Sequence, residues 1–292
     1  MKTWCPTLTV SVLFCLCACT ETPEPPASAA RHSRLVTLAP NLTELVFAAG
    51  AGDTLVGVSA YSDYPDEAKQ LPIIGDAFVV DQEQLAVLQP DLLLVWQSGT
   101  PEHVVDELRG AGYRVEVIRT RTLADVAAAI RRIGDLTGYS NQADLAANLY
   151  TEGLRTIAAR YADPEDLRVF YQVDRRPLYT INGEHYVSEL IDLCGGSNVF
   201  DDLNELAPAV DVEAVVDRDP EVMLASSDAG EDAFSEWQRW PHLAANQYQN
   251  RYLMPADEIG RATPRLVIAA RAVCEALQEA RNRRALALAN VE

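Results

Sequence analysis

Three aromatic residues, Tyr61, Trp96 and Tyr179, each come shortly after a short apolar run, as do Pro40 and the pair Asp257 and Arg261. Aromatic faces bury much area at little entropic cost, so three of them converging would suit a broad, flat, mostly apolar ligand with polar edges. Asp257 can accept hydrogen bonds from ligand amide or hydroxyl groups, and Arg261 can hold Asp257 in place or donate to carbonyls. Plainer readings stand beside these: Trp96 capping a core, the two tyrosines on surface loops, and Asp257–Arg261 as a structural pair. Catalytic patterns are missing. There is no Gly-rich phosphate loop, no G-x-S-x-G elbow and no metal-ligand motif. Asp63 and Glu184 are the carboxylates available as acid and base, and nothing in the sequence pairs them. The four histidines, His32, His103, His185 and His242, form no His-rich loop, which argues against a zinc or manganese receptor.

Charge and the chain's start bound the setting. The net charge is -19, which leaves no basic patch to neutralise phosphates and argues against nucleic acid. Residues 8–18 form an apolar core of signal-peptide length, too short to span a bilayer as a helix. The run closes on Leu16-Cys17-Ala18-Cys19, the pattern of a bacterial lipoprotein signal, so residues 1–18 are expected to be a signal peptide and Cys19 a lipidated anchor. Residues 19–33, rich in Pro, Glu, Ser and Ala, read as a flexible tether. An ordinary signal peptide with incidental cysteines is the simpler alternative. Cys194 and Cys274 remain in the folded part; an oxidising compartment favours one disulfide over two buried thiols.

The elements that must position the candidate residues alternate in type. Strands are expected at residues 35–38, 55–58, 92–95 and 114–118, then at 168–173, 222–225 and 251–254, with helical stretches between them, so the strands should be parallel. Ligands bind beyond the carboxyl ends of such strands, where the candidate residues lie. The halves echo each other. Asp81-Gln82-Glu83 opens a short helix that stops before Pro90 and LLLVW; Asp211-Val212-Glu213 opens one that stops before Pro220 and VMLA. Glu44-Leu45 through Gly50 likewise matches Glu189-Leu190 through Gly195, each a helix closed by a glycine. Residues 141–162, free of Pro, read as one long helix of about 30 Å. The fold expected is α/β: two Rossmann-like lobes with mainly parallel sheets, an N-terminal lobe at 34–140 and a C-terminal lobe at 163–292, joined by that helix, with a ligand cleft between them.

At this point the chain resembles the cobalamin-binding proteins of ABC importers, within a wider group of helix-bridged periplasmic binding proteins for corrinoids, haem and iron-siderophores. The resemblance rests on LAPNLTEL at 38–45, VSAYSDYP at 58–65, QPDL at 89–92, CGGSNVF at 194–200 and RATPRL at 261–266. It implies a non-enzymatic, monomeric substrate-binding protein in the periplasm or at the cell-envelope exterior, lipid-anchored to a bacterial membrane and without a cofactor of its own, that captures a corrinoid and delivers it to a permease and its ATPase. It also implies a Cys194–Cys274 disulfide, a cleft containing Pro40, Tyr61, Trp96, Tyr179, Asp257 and Arg261, and exposed glutamates Glu83 and Glu213 that dock on permease arginines. Two cleft tryptophans common in the family are replaced by Ala77-Phe78, where Phe78 is the substitute expected to line the cleft, and by Leu206-Ala207-Pro208, where no substitute stands. A haem or iron-siderophore receptor of the same fold is the alternative, since Tyr61 or Tyr179 could serve haem as an axial ligand.

Overall fold

The computed structural model describes residues 1–2, 33–161 and 165–289. The expected signal peptide, the Cys19 anchor and nearly all of the tether therefore lie outside the described residues.

The first lobe runs β1 (Leu35–Thr37), α1 (Pro40–Ala48), β2 (Leu55–Gly57), α2 (Gln82–Leu88), β3 (Leu92–Trp96), α3 (Glu102–Gly110), β4 (Val115–Ile118) and α4 (Leu123–Thr137). Its strands form one parallel sheet in the order β2-β1-β3-β4. The LLLV run is continuous because both faces of this sheet are covered. Leu92 and Leu94 pack into one apolar cluster with α1 and α4, while Leu93 and Val95 pack into another with Leu85 and Leu108.

The long helix follows as α5 (Ser140–Arg160), 21 residues, or about 30 Å. It begins and ends within two residues of the sequence expectation. Helix α4 lies so close to it that a Cβ on Gly134 would stand 2.3 Å from the Ala143 methyl; only glycine permits that approach.

The second lobe runs β5 (Leu167–Gln172), β6 (Asp174–Arg175), β7 (Leu178–Tyr179), α6 (Tyr186–Leu193), β8 (Gly196–Asn198), α7 (Val212–Arg218), β9 (Val222–Ser226), α8 (Ala244–Gln247), β10 (Arg251–Met254), α9 (Ala256–Gly260) and α10 (Leu266–Ala289). Its main sheet is parallel with the order β10-β9-β5-β8. Strand β8 is absent from the sequence expectation: Gly-Ser-Asn has little strand propensity, and its pairing to β5 at the sheet edge makes it extended. The β6–β7 hairpin is a second addition, and it places Tyr179 on a strand rather than in a loop.

The echoed segments form the expected devices. Asp81 and Asp211 cap α2 and α7 by accepting from the backbone N–H groups of Gln84 and Ala214. Gly50 and Gly195 close α1 and α6 at φ +79° and +72°, the left-handed region that glycine enters without strain. The disulfide is present: Cys194, at the end of α6, is bonded to Cys274 in α10. One apolar cluster runs from β1, β3, α1 and α4 through Ala147, Tyr150 and Leu154 of α5 to Val169, Leu224 and Val273, so the lobes share a core beneath their junction. No described helix is long and apolar enough to cross a membrane.

Candidate functional site

The site is framed by the loops that leave the carboxyl ends of the strands. Two ion pairs join those loops across the lobes. Asp63, after β2, lies 2.6 Å from Arg261, after β10. Arg121, after β4, lies 2.5 Å from Glu184, after the hairpin that follows β5. The carboxyl edges of the two sheets thus face each other and are tied near both sides. Between the ties lie the ends of β1 and β3 on one lobe and of β9 and β5 on the other, the place where a parallel sheet receives a ligand.

Pro40 opens α1 directly after β1 and is half-buried. Trp96 ends β3, and its ring is fixed. Its indole Nε1–H donates to Thr120 Oγ1 at 2.8 Å. A Cβ on Gly99 would stand 2.2 Å from the ring, so glycine makes room for it. Trp96 also packs on the shared core, so the core-capping reading holds for part of its surface. Tyr61 is 79% exposed on the loop after β2, with φ at +64°. Phe78 is exposed on a tight turn in which Asp76 accepts from the backbone N–H groups of Phe78 and Val79. Tyr179 sits on β7 at the opposite lobe. Residues 206–210 run beside it: Thr180 N donates to Pro208 O and Val210 N to Leu178 O. Leu206-Ala207-Pro208, which supplies no aromatic ring, therefore flanks Tyr179. Among the described residues Tyr61, Trp96 and Tyr179 share no ring-to-ring contact.

Asp257 and Arg261 do meet, at 3.2 Å, but that is the weakest of the ties to Arg261. Its Nη1 donates to Asp63 at 2.6 Å and to Glu44 at 3.0 Å, both from the first lobe. Burial works against its charge, yet these two carboxylates raise its pKa above the ordinary arginine value. Arg265 donates to both oxygens of the same Glu44, at 2.7 and 3.0 Å, and stacks over the Tyr64 ring. Sequence reasoning left Asp63 and Glu184 unpaired and assigned Glu44 no partner. Their partners are on the other lobe, and no local spacing signals them.

Glu83 and Glu213 are exposed, each the second residue of its helix, α2 or α7. Each of these helices leads into a strand, β3 or β9, and in a parallel α/β unit the helix runs back against that strand. Both glutamates therefore lie toward the carboxyl edges, flanking the junction from either lobe. Among the described residues no group of three or more His, Cys, Asp or Glu could hold a metal ion. His185 caps α6 through Nδ1, which accepts from the Val187 N–H.

The sequence profile described as periplasmic binding protein matches residues 35–258, both lobes and the helix between them. The chain belongs to the periplasmic binding protein family. Within the family it is 34% identical to a vitamin B12-binding protein of Vibrio parahaemolyticus, over 86% of this chain and 91% of that one. A vitamin B12-binding protein of Yersinia pestis is also 34% identical, over 86% of this chain and 87% of the relative. Among solved structures of the family, the periplasmic vitamin B12 binding protein BtuF of Vibrio cholerae superposes with a TM-score of 0.78 at 33% identity, covering 86% of this chain and 98% of that one. The periplasmic heme binding protein HutB of Vibrio cholerae superposes at 0.72 with 20% identity, covering 84% and 98%; that likeness concerns the fold alone.

Proposed function

We propose that this chain is the substrate-binding component of an ABC importer that captures cobalamin or a related corrinoid between its lobes and delivers it to the membrane permease. The observation that carries this reading is the pair of facing carboxyl edges, tied near both sides by Asp63–Arg261 and Arg121–Glu184, in a chain that is 34% identical to a vitamin B12-binding protein over 86% of its length. Pro40, Tyr61, Phe78 and Trp96 from one lobe and Tyr179, Asp257 and Arg261 from the other would line the cleft. Rings would take the faces of the macrocycle, and Asp257 and Arg261 its amide edge. The role is binding rather than catalysis. Glu83 and Glu213 would meet arginines of the permease. The Leu16-Cys17-Ala18-Cys19 pattern supports export and a lipid anchor at Cys19, and the protein would act as a monomer.

Calorimetric titration of the purified protein with cyanocobalamin tests the reading. One-to-one binding at micromolar ligand or below is expected. No heat and no tryptophan quenching in that range would refute it, and a Soret shift on adding haem in its place would move the assignment to a haem receptor.

A further inference from the structure

Tyr61 pairs an uncommon backbone with an exposed side chain. It is a non-glycine residue in the left-handed region, φ +64°, and its side chain is 79% exposed. The residues on either side of Tyr61 are held by their own contacts. A buried chain of hydroxyls lies beneath the loop. Thr37 and Thr43 are 2.7 Å apart, Thr43 and Ser62 2.9 Å, and Ser59 and Ser62 3.2 Å. These contacts tie the loop to its own lobe. Two further ties reach the other lobe: Tyr64 under Arg265, and Asp63 to Arg261.

The two carboxylates that the first lobe offers Arg261 differ in setting. The Glu44 side chain is 2% exposed and shared with Arg265, whereas that of Asp63 is 50% exposed at the rim of the junction. Together they occupy both hydrogens of Arg261 Nη1, and Asp257 pairs with Nη2. The Nε–H has no protein acceptor among the described residues, which leaves a guanidinium donor whose direction is fixed by the bonds at Nη1.

We propose that Asp63 is a positioning residue of the ligand cleft: by gripping Arg261 across the lobes it sets the Tyr61 ring of one lobe and the free guanidinium Nε–H of the other as a single unit. The inference rests on the corrinoid-binding reading given above. A broad macrocycle with carbonyl-bearing amide edges needs a ring against its face and a donor at its rim at a constant separation. The lobes share a core beneath their junction and buried Glu44 holds Arg261 from within it; Asp63 adds the tie at the exposed rim, two residues from Tyr61. Arg261 then acts from the second lobe while its orientation is dictated by the first.

The test is cyanocobalamin affinity, measured calorimetrically, for Asp63→Asn, Asp63→Glu, Arg261→Gln and the Asp63→Asn/Arg261→Gln double variant, each with its unliganded melting midpoint. Asp63→Asn is expected to weaken binding at least tenfold with the midpoint unchanged, Asp63→Glu to recover part of the loss, and Asp63→Asn to have no further effect once Arg261 is Gln. Wild-type affinity in Asp63→Asn, or losses that multiply independently in the double variant, would overturn the proposal and leave corrinoid binding standing. A large drop in the unliganded midpoint of Asp63→Asn would make its role structural and overturn it as well. A wild-type protein that does not bind cyanocobalamin would overturn both readings.

Discussion

Glu44 on α1 and Glu189 on α6 occupy the same place in the two lobes, and each reaches into the other lobe. Glu44 accepts from Arg265 at 2.7 Å and from Arg261 at 3.0 Å; Glu189 accepts the Leu123 N–H, at the start of α4, at 2.6 Å. The repeat thus produces reciprocal anchors on both sides of the junction. The anchors differ in chemistry. Glu44 meets two guanidinium groups, whereas Glu189 meets a helix N-terminus, and burial raises its pKa despite that hydrogen bond.

Replacing Glu44 leaves two largely buried guanidinium groups short of a counter-charge. Removing one partner of such a cluster costs about 3 kcal/mol. Glu44→Ala should lose that much in urea unfolding, and Glu44→Gln less, because the amide oxygen still accepts one hydrogen bond.

The Cys194–Cys274 bridge closes a loop of sequence separation 80. Chain-entropy reasoning sets its contribution at about 4 kcal/mol. Reduction, or the double Cys→Ala variant, should lower stability by a large part of that amount. Either single Cys→Ala variant should lose nearly as much as the double, since one bond is broken in each case. Urea unfolding with and without reductant measures this.

His185 carries a pH dependence. Burial, reinforced by the positive charge of Arg121, pulls its pKa down to about 4 from 6.5. The folded protein therefore prefers the neutral ring, and its contribution to stability is complete above pH 6.5. It is lost progressively as pH falls toward 4, where the unfolded chain binds a proton that the folded chain refuses. Asn at position 185 keeps an acceptor for the Val187 N–H and removes the titration. The wild-type melting midpoint should drop more steeply than that of His185→Asn between pH 6.5 and 4. Glu189 and Asp192, whose raised pKa values act in the opposite sense, are present in both proteins and cancel in the comparison.

Glu83 and Glu213 can be separated from ligand capture because both are exposed on helices outside the strand-end loops. The double variant Glu83→Ala/Glu213→Ala should bind cyanocobalamin as the wild type does. Its affinity for the reconstituted permease–ATPase complex should weaken by on the order of tenfold or more, an effect that shrinks as salt rises. Surface plasmon resonance on the immobilised transporter reports both quantities.

The sequence by itself determined the repeat and its caps. Asp81 and Asp211 announce helix starts because an N-cap is a contact over three residues. Gly50 and Gly195 announce helix ends because the left-handed region selects glycine. The apolar run at 92–95 announces a strand covered on both faces, and the Pro-free stretch after residue 140 announces the bridging helix. All are local rules, readable within one turn or one strand. Tertiary structure alone decided the junction. Asp63 finds Arg261 at a separation of 198 residues, Glu44 finds Arg265 at 221 and Arg121 finds Glu184 at 63. Strand β8 exists because β5 offers it an edge. Pairings of this kind follow from where two sheets place their carboxyl ends in space, and no periodicity along the chain encodes that.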